Sequence, residues 1–200
     1  MYYMKHSRKL VLASSSPFRK ELLNKLFSDF DCSSPNIDES AKENESPLNL
    51  SKRLAFEKAN ALASKYPNHL IIGSDQVAML GNKQLTKPGS HENCVKQLTL
   101  SSGKSITFYT SLCVLDSKSN HSATDLDICK VYMKNLSLEQ IEDYVSRDKP
   151  YGCAAAFKSE GLGIALFEKI EANDPNALVG LPLIRLINLL DEMQYHALAR

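Results

Sequence analysis

Several short stretches of this chain bring together residue types that handle anions. Lys9-Leu10-Val11-Leu12-Ala13 is an apolar run that stops at Ser14-Ser15-Ser16-Pro17-Phe18-Arg19, after which Lys20-Glu21-Leu22-Leu23-Asn24-Lys25-Leu26 follows a helical pattern. Ser16 suits an N-cap and Pro17 the first helical position, where its missing N–H costs nothing. Hydroxyls and unpaired backbone N–H groups then converge at a positive helix end, with Arg19 in the first turn. That is the chemistry of an anion site, and phosphate is the usual anion. An ordinary capped strand-to-helix turn has the same local sequence.

A second stretch, Gly73-Ser74-Asp75-Gln76, follows the apolar run Leu70-Ile71-Ile72. Asp75 is expected just past a Gly-Ser turn at a strand end, where sites of α/β proteins lie. A carboxylate there can ligate Mg²⁺ or accept a proton from water attacking phosphorus. An Asx-type turn that merely ends the strand is the other reading. Candidate cations are Lys58 in Glu57-Lys58-Ala59, Lys87 before Pro88, and Lys158 in Phe157-Lys158-Ser159-Glu160-Gly161. Lone lysines are usually solvated, so their contexts matter more than their number. The loop pair Asp38-Glu39 can bind a metal or serve as solubilising charge.

The elements that must position these residues alternate between helical and extended patterns. Ser46-Pro47 opens a helix running through Leu50, Leu54 and Leu62 toward Tyr66-Pro67. Residues 77–80 resume an apolar run after the Gly-Ser turn, and Gly81-Asn82 makes a hairpin into Lys83-Gln84-Leu85. Ser90 caps a helix through Leu98, residues 106–115 form a long strand, and residues 127–133 return after a polar turn at 116–121. Ser137-Leu138-Glu139-Gln140 is a capping box for a helix ending before Lys149-Pro150. A Gly-rich apolar segment at 161–167 follows. Gly180-Leu181-Pro182 leads into a last helix with Leu183, Leu186, Ile187 and Leu190 on one face. The expectation is an α/β fold, with residues 1–200 as a single domain.

The chain has 200 residues, enough for a substantial core, and its 24 Lys+Arg against 23 Asp+Glu leave a formal charge of +1. Nothing in that balance suggests duplex nucleic acid or an anionic membrane as a bulk partner. Cys32, Cys94, Cys113, Cys129 and Cys153 form no C-x-x-C pair, so reduced thiols in a cytosol are expected rather than a disulfide framework or zinc knuckle. Residues 1–9 carry positive charge before an apolar run, but that run is too short for a signal peptide's h-region. No segment approaches the ~20 apolar residues of a membrane span. The P-loop, dinucleotide and G-x-S-x-G patterns are absent. His6, His69, His91, His121 and His196 lack metal-binding spacing and are expected in loops or on the surface.

Taken in order, these segments resemble the Maf family of nucleotide pyrophosphatases. The matching pieces are Leu12-Ala13-Ser14-Ser15-Ser16-Pro17-x-Arg19, Asp38-Glu39, Glu57-Lys58-Ala59, Gly73-Ser74-Asp75, Lys87-Pro88, Asn173-Asp174-Pro175 and Val179-Gly180-Leu181-Pro182, which span nearly the whole chain. The resemblance implies an elongated mixed sheet with helices, akin to inosine triphosphate pyrophosphatases, with a central cleft between two lobes. It implies cleavage of nucleoside triphosphates between the α and β phosphates, a divalent cation (Mg²⁺, Mn²⁺ or Co²⁺), and often a homodimer. By the same resemblance Asp75 is the proton acceptor, Ser14, Arg19, Lys58, Lys87 and Lys158 hold the triphosphate, and Glu39 with Asp75 associates with metal. These roles suit attack on a phosphorus whose charge must be neutralised.

Within the family, substrate choice tracks the positions held here by Phe18, Gln76 and Glu160, and they resemble the subgroup acting on 7-methyl-GTP. N7 methylation places a positive charge on the purine, which an aromatic face and a carboxylate favour over neutral guanine. Gln76 offers both a donor and an acceptor to a base edge. The subgroup often has Trp where Phe18 stands and Gly where Thr86 stands. The expected reaction is hydrolysis of 7-methyl-GTP, or a related modified nucleotide, to the monophosphate and pyrophosphate; the rival readings are a dTTP/UTP pyrophosphatase of the same family and a non-catalytic nucleotide-binding regulator of cell division.

Overall fold

The computed structural model describes residues 8–198; residues 1–7, with His6 and most of the basic N-terminal stretch, lie outside the described residues, as do residues 199–200. The elements follow the order β1 (Lys9–Ala13), α1 (Pro17–Asn24), β2 (Asp31–Cys32), α2 (Pro47–Asn60), β3 (His69–Leu80), β4 (Lys83–Leu85), α3 (His91–Ser101), β5 (Ser105–Asp116), β6 (His121–Met133), α4 (Leu138–Asp148), β7 (Phe167–Glu171) and α5 (Leu183–Glu192). Short 3₁₀ turns precede β7 and α5. Among the described residues the strands form one mixed sheet in the order β2-β1-β3-β5-β6-β7, with β4 pairing β3. The fold class is mixed α/β, as expected.

The chain gathers into two compact units. The first takes the described residues up to Gln76, Thr110–Asp127 and those from Asp174; the second takes Val77–Tyr109 and Ile128–Asn173.

In the first unit β1 pairs in parallel with both β2 and β3, with Ala13 opposite Gly73. That register brings the ends of the two sequence-predicted motifs onto neighbouring strands. Successive β1 side chains enter different cores. Leu10 and Leu12 pack with Leu22 and Leu23 of α1 and Leu183, Leu186 and Leu190 of α5. Val11 and Ala13 pack with Ala55 and Ala59 of α2. A strand buried on both faces needs apolar residues at every position, so Leu10-Val11-Leu12-Ala13 shows no alternation. Each fully buried Leu contributes about 1.5–3 kcal/mol.

In the second unit α3 packs on α4, and Phe157 stands edge-on to Phe108 and Phe167 at ring-centroid distances of 5.6 and 4.7 Å. β4 runs antiparallel to the end of β3, and β7 antiparallel to β6.

Local signals placed the helix starts well. Ser16, Ser46, Ser90 and Ser137 all accept a backbone N–H at an N-cap, Ser137 within a full capping box. Three expectations need correction. Gly73-Ser74-Asp75-Gln76 is not a turn after a strand: β3 runs unbroken through it. β1 pairs with β3 as far as Gly73 and β4 from Ala78 onward, and between them Ser74 Oγ ties the strand to Ser111 O of β5. β6 begins at His121 rather than near residue 127, because its early residues are mostly half-exposed and carry no apolar pattern. α2 ends at Asn60 and gives way to i→i+3 turns that carry Leu62 into the core.

Candidate active site

Asp75 lies mid-strand, 6% exposed, two residues beyond Gly73, where the α2 backbone comes close to β3. A Cβ at Gly73 would sit 2.1 Å from Ala55 O and 2.9 Å from Ala59 N. Only a glycine lets the α2 backbone lie this near β3, and Ala55 and Ala59 add little bulk. The approach carries Lys58, itself 5% exposed, onto Asp75: Nζ lies 2.7 Å from Asp75 Oδ1. Lys58 Nζ also lies 2.8 Å from Glu39 Oε1, whose side chain is 58% exposed. A buried ammonium is tolerable only when paired, and here two carboxylates converge on it.

Beside this triad stands the start of α1. Ser14 is buried; its hydroxyl accepts from Ser16 N, while Ser16 Oγ accepts from Arg19 N. Arg19 Nε donates to Gly180 O at 2.8 Å. Burial pulls the Arg19 guanidinium below its ordinary pKa, opposed by the charges of Asp75 and Glu39. Gly180 has φ +116°, and a Cβ there would meet Arg19 Nε at 3.4 Å. The single Ser74 hydroxyl proton is shared between Ser111 O and Gly180 O, each 2.9 Å from Oγ. One backbone carbonyl thus anchors both a strand and an arginine.

Gln76 differs from its sequence-based reading. Its Nε2 donates to Ala177 O, Leu178 O and Thr110 Oγ1 at 3.0, 3.1 and 3.0 Å. Carbonyls only accept, and the Thr110 hydroxyl donates to Ala177 O, so the amide orientation is set. Gln76 therefore presents an acceptor, Oε1, rather than a donor and an acceptor. Phe18 is half-buried on α1.

Ser14, Phe18, Arg19, Glu39, Lys58, Asp75 and Gln76 all belong to the first unit, and Lys87, Lys158 and Glu160 to the second. In the second unit Lys87 and Glu160 are exposed. The Lys158 ammonium donates to Asp148 O and its backbone N–H to Tyr144 Oη. Their charges meet at Cys153, whose thiol is pushed up to about 11, first by burial, with Glu160 and Asp148 raising it and Lys158 and Lys87 lowering it.

Sequence reasoning missed Arg53, Thr110 and the supporting role of Ser74. Asp174, quoted only as part of a motif, is fully buried and accepts from Ile184 N and Asn176 N, tying the 174–180 segment to the start of α5. Thr110 and Ser74 depend on partners far along the chain, whereas Arg53 and Asp174 bond to nearby residues through irregular segments that carry no periodic signal.

Among the described residues no group of three His, Cys, Asp or Glu is arranged to hold a metal. The donor chemistry nevertheless fits a hard divalent cation. Glu39 and Asp75 both reach the Lys58 ammonium, which brings two carboxylates close together, and Mg²⁺ is commonly held by one or two carboxylates completed by phosphate oxygens and water. None of the five cysteines is in a disulfide among the described residues, and no described helix is long and apolar enough to cross a membrane.

Comparison with known proteins gives consistent matches. The chain is 52% identical over 190 residues to the 7-methyl-GTP pyrophosphatase of Colwellia psychrerythraea, covering 95% of each chain. It is 54% identical over 181 residues to the 7-methyl-GTP pyrophosphatase of Alcanivorax borkumensis, covering 90% of this chain and 92% of that one. Among solved structures it is similar to the Staphylococcus aureus Ham1 protein, with a TM-score of 0.46 and 16% identity over 76% of this chain and 88% of that chain. Residues 9–193 match the family described as Maf-like protein, and over that span the chain belongs to the Maf family.

Proposed function

We propose that this protein is a nucleoside triphosphate pyrophosphatase that hydrolyses 7-methyl-GTP to the monophosphate and pyrophosphate. The observation that carries the chemistry is the buried Asp75 carboxylate paired with Lys58 and set beside the Ser14–Arg19 helix start. The substrate follows from relatives at 50–54% identity that bear that name.

In this reading Asp75 accepts a proton from the attacking water, an effect worth about 10²–10⁴-fold. Ser14, Arg19 and Lys58 hold phosphate oxygens, and the α1 N-terminus adds backbone donors. A divalent cation held by Glu39 and Asp75 would neutralise charge on the phosphates and lower the barrier to displacement. Lys87 and Lys158 as phosphate cations, and Phe18 and Glu160 as readers of a cationic base, belong to the same proposal and rest on the sequence resemblance. Gln76 contributes an acceptor, which meets an N–H donor on the base. Cysteines outside any disulfide support a cytoplasmic setting; a homodimer is expected and is checked by sedimentation.

The deciding experiment measures pyrophosphate release from a panel of nucleotides with and without a divalent cation. The highest kcat/KM is expected for 7-methyl-GTP, with activity lost on chelation. A preference for dTTP or UTP favours the other family activity. Tight nucleotide binding without turnover favours a non-catalytic regulator.

A further inference from the structure

Glu39 is the most exposed member of the site, and burial does not hold it in place. It sits in the segment between β2 and α2, which has no strand or helix of its own. Such a segment samples many conformations unless specific bonds restrict it. The restricting bonds radiate from one side chain, Arg53 of α2. Its Nε and Nη2 donate to Glu45 Oε1 and Oε2 at 2.7 and 2.8 Å, its Nη2 also to Ser40 O at 2.9 Å, and its Nη1 to Glu57 Oε2 at 2.8 Å.

The segment closes on itself around this anchor. Glu45 Oε2 accepts from Lys42 N at 3.0 Å, and Asp38 Oδ1 accepts from Ser40 N at 2.9 Å. Arg53 and Glu45 are 15% and 9% exposed, so the two-point bond is largely shielded from water. A planar guanidinium gripping a carboxylate at two points fixes orientation as well as distance, which a lysine cannot do. Glu39 is flanked by Asp38 and Ser40, both inside the closed segment. Its carboxylate then reaches Lys58 on the same helix that carries Arg53.

We propose that Arg53 is a positioning residue: by clamping Glu45 and the Ser40 carbonyl it sets the 38–45 segment on α2 so that Glu39 meets Lys58. The consequence for turnover rests on the hydrolase reading above; the clamp itself does not. The Arg53 bonds go to Glu45, Glu57 and Ser40, none of them a proposed phosphate ligand, so its effect on the site runs through Glu39.

The test is a double-mutant cycle on the full chain with two readouts. In the free protein, Arg53→Met is expected to speed amide hydrogen exchange in residues 38–45 while β3 amides keep their protection. In turnover, Arg53→Met and Glu39→Gln are each expected to lower kcat/KM by about 10–100-fold, the usual range for supporting residues. The double variant should be no worse than Glu39→Gln alone, and Arg53→Lys should fall between wild type and Arg53→Met. Glu45→Gln approaches the same clamp from the segment side if Arg53→Met does not fold. Unchanged exchange in residues 38–45, or additive losses in the double variant, would overturn the proposal. If the wild type hydrolyses no nucleotide, the hydrolase reading fails, and the exchange measurement alone still decides the clamp.

Discussion

The Lys58 ammonium lies 2.7 Å from the Asp75 carboxylate, with both side chains under a tenth exposed. This pair joins a helix to the middle of a strand across a distance that only Gly73 permits. It gives the proposed water-activating group a fixed address, and it makes the two residues unequal in what they contribute.

Removing the cation is expected to hurt folding more than removing the acid. Lys58→Met leaves Asp75 buried without its counter-ion and should cost about 3–5 kcal/mol. Asp75→Asn leaves Lys58 paired with Glu39 and should cost no more than about 1–2 kcal/mol. Turnover should nevertheless fall by about 10²–10⁴-fold in Asp75→Asn. Thermal unfolding and pyrophosphate release on the same samples separate the two effects; near-normal turnover in Asp75→Asn rejects its role.

Gly73→Ala places a methyl group into the α2 backbone. Overpacking of this kind costs about 1–3 kcal/mol, and backbone cannot rotate away as a side chain can. The variant should melt lower and lose turnover together, since Lys58 is pushed off Asp75. A stable, fully active Gly73→Ala would show that α2 can stand further from β3 without consequence.

At Gln76 the conservative change is expected to be the worse one. Gln76→Glu turns a carboxylate oxygen toward the Ala177 and Leu178 carbonyls, whereas Gln76→Met only removes hydrogen bonds. Denaturant unfolding should place the Glu variant below the Met variant by about 1–3 kcal/mol. Side-chain amide protons of Gln76 should exchange slowly in the free protein; rapid exchange would mean that the amide faces the other way.

Glu160→Ala is expected to lower the ratio of kcat/KM for 7-methyl-GTP over GTP by about tenfold, or ~1.4 kcal/mol. The carboxylate should favour the methylated, cationic purine and be indifferent to the neutral one. An unchanged ratio rejects Glu160 as a reader of the base.

Hydrogen bonds from Arg53, then that from Lys42 N, hold the Glu45 carboxyl down to about 2, from an ordinary value of 4.5. A depressed folded-state value means that the carboxylate stabilises the clamp above the ordinary value, and that this contribution is lost as pH falls through the folded one. The clamp should therefore persist across neutral and mildly acidic pH and release only toward pH 2. In Arg53→Met the Glu45 carboxyl should titrate close to its ordinary value, which carboxyl NMR can follow residue by residue.

Sequence alone determined what local chemistry determines. Ser-Pro pairs set the starts of α1 and α2, a capping box opened α4, Gly81-Asn82 turned β3 into β4, and the ordered motifs pointed to one family. Each of these signals lies within a few residues of the structure it dictates. The interior of β3 was not legible, because a Gly-Ser-Asp run reads as a turn unless strands are known to flank it. Only the tertiary structure decided that Lys58 and Glu39 share one point with Asp75, that Gln76 presents an acceptor, and that Arg53 holds the acidic segment. The acceptors that orient Gln76 lie up to 102 positions along the chain, and the carbonyl that anchors Arg19 lies 161 away. Contacts of that reach arise from packing, and packing is where a hydroxyl, an amide or a lysine acquires its direction.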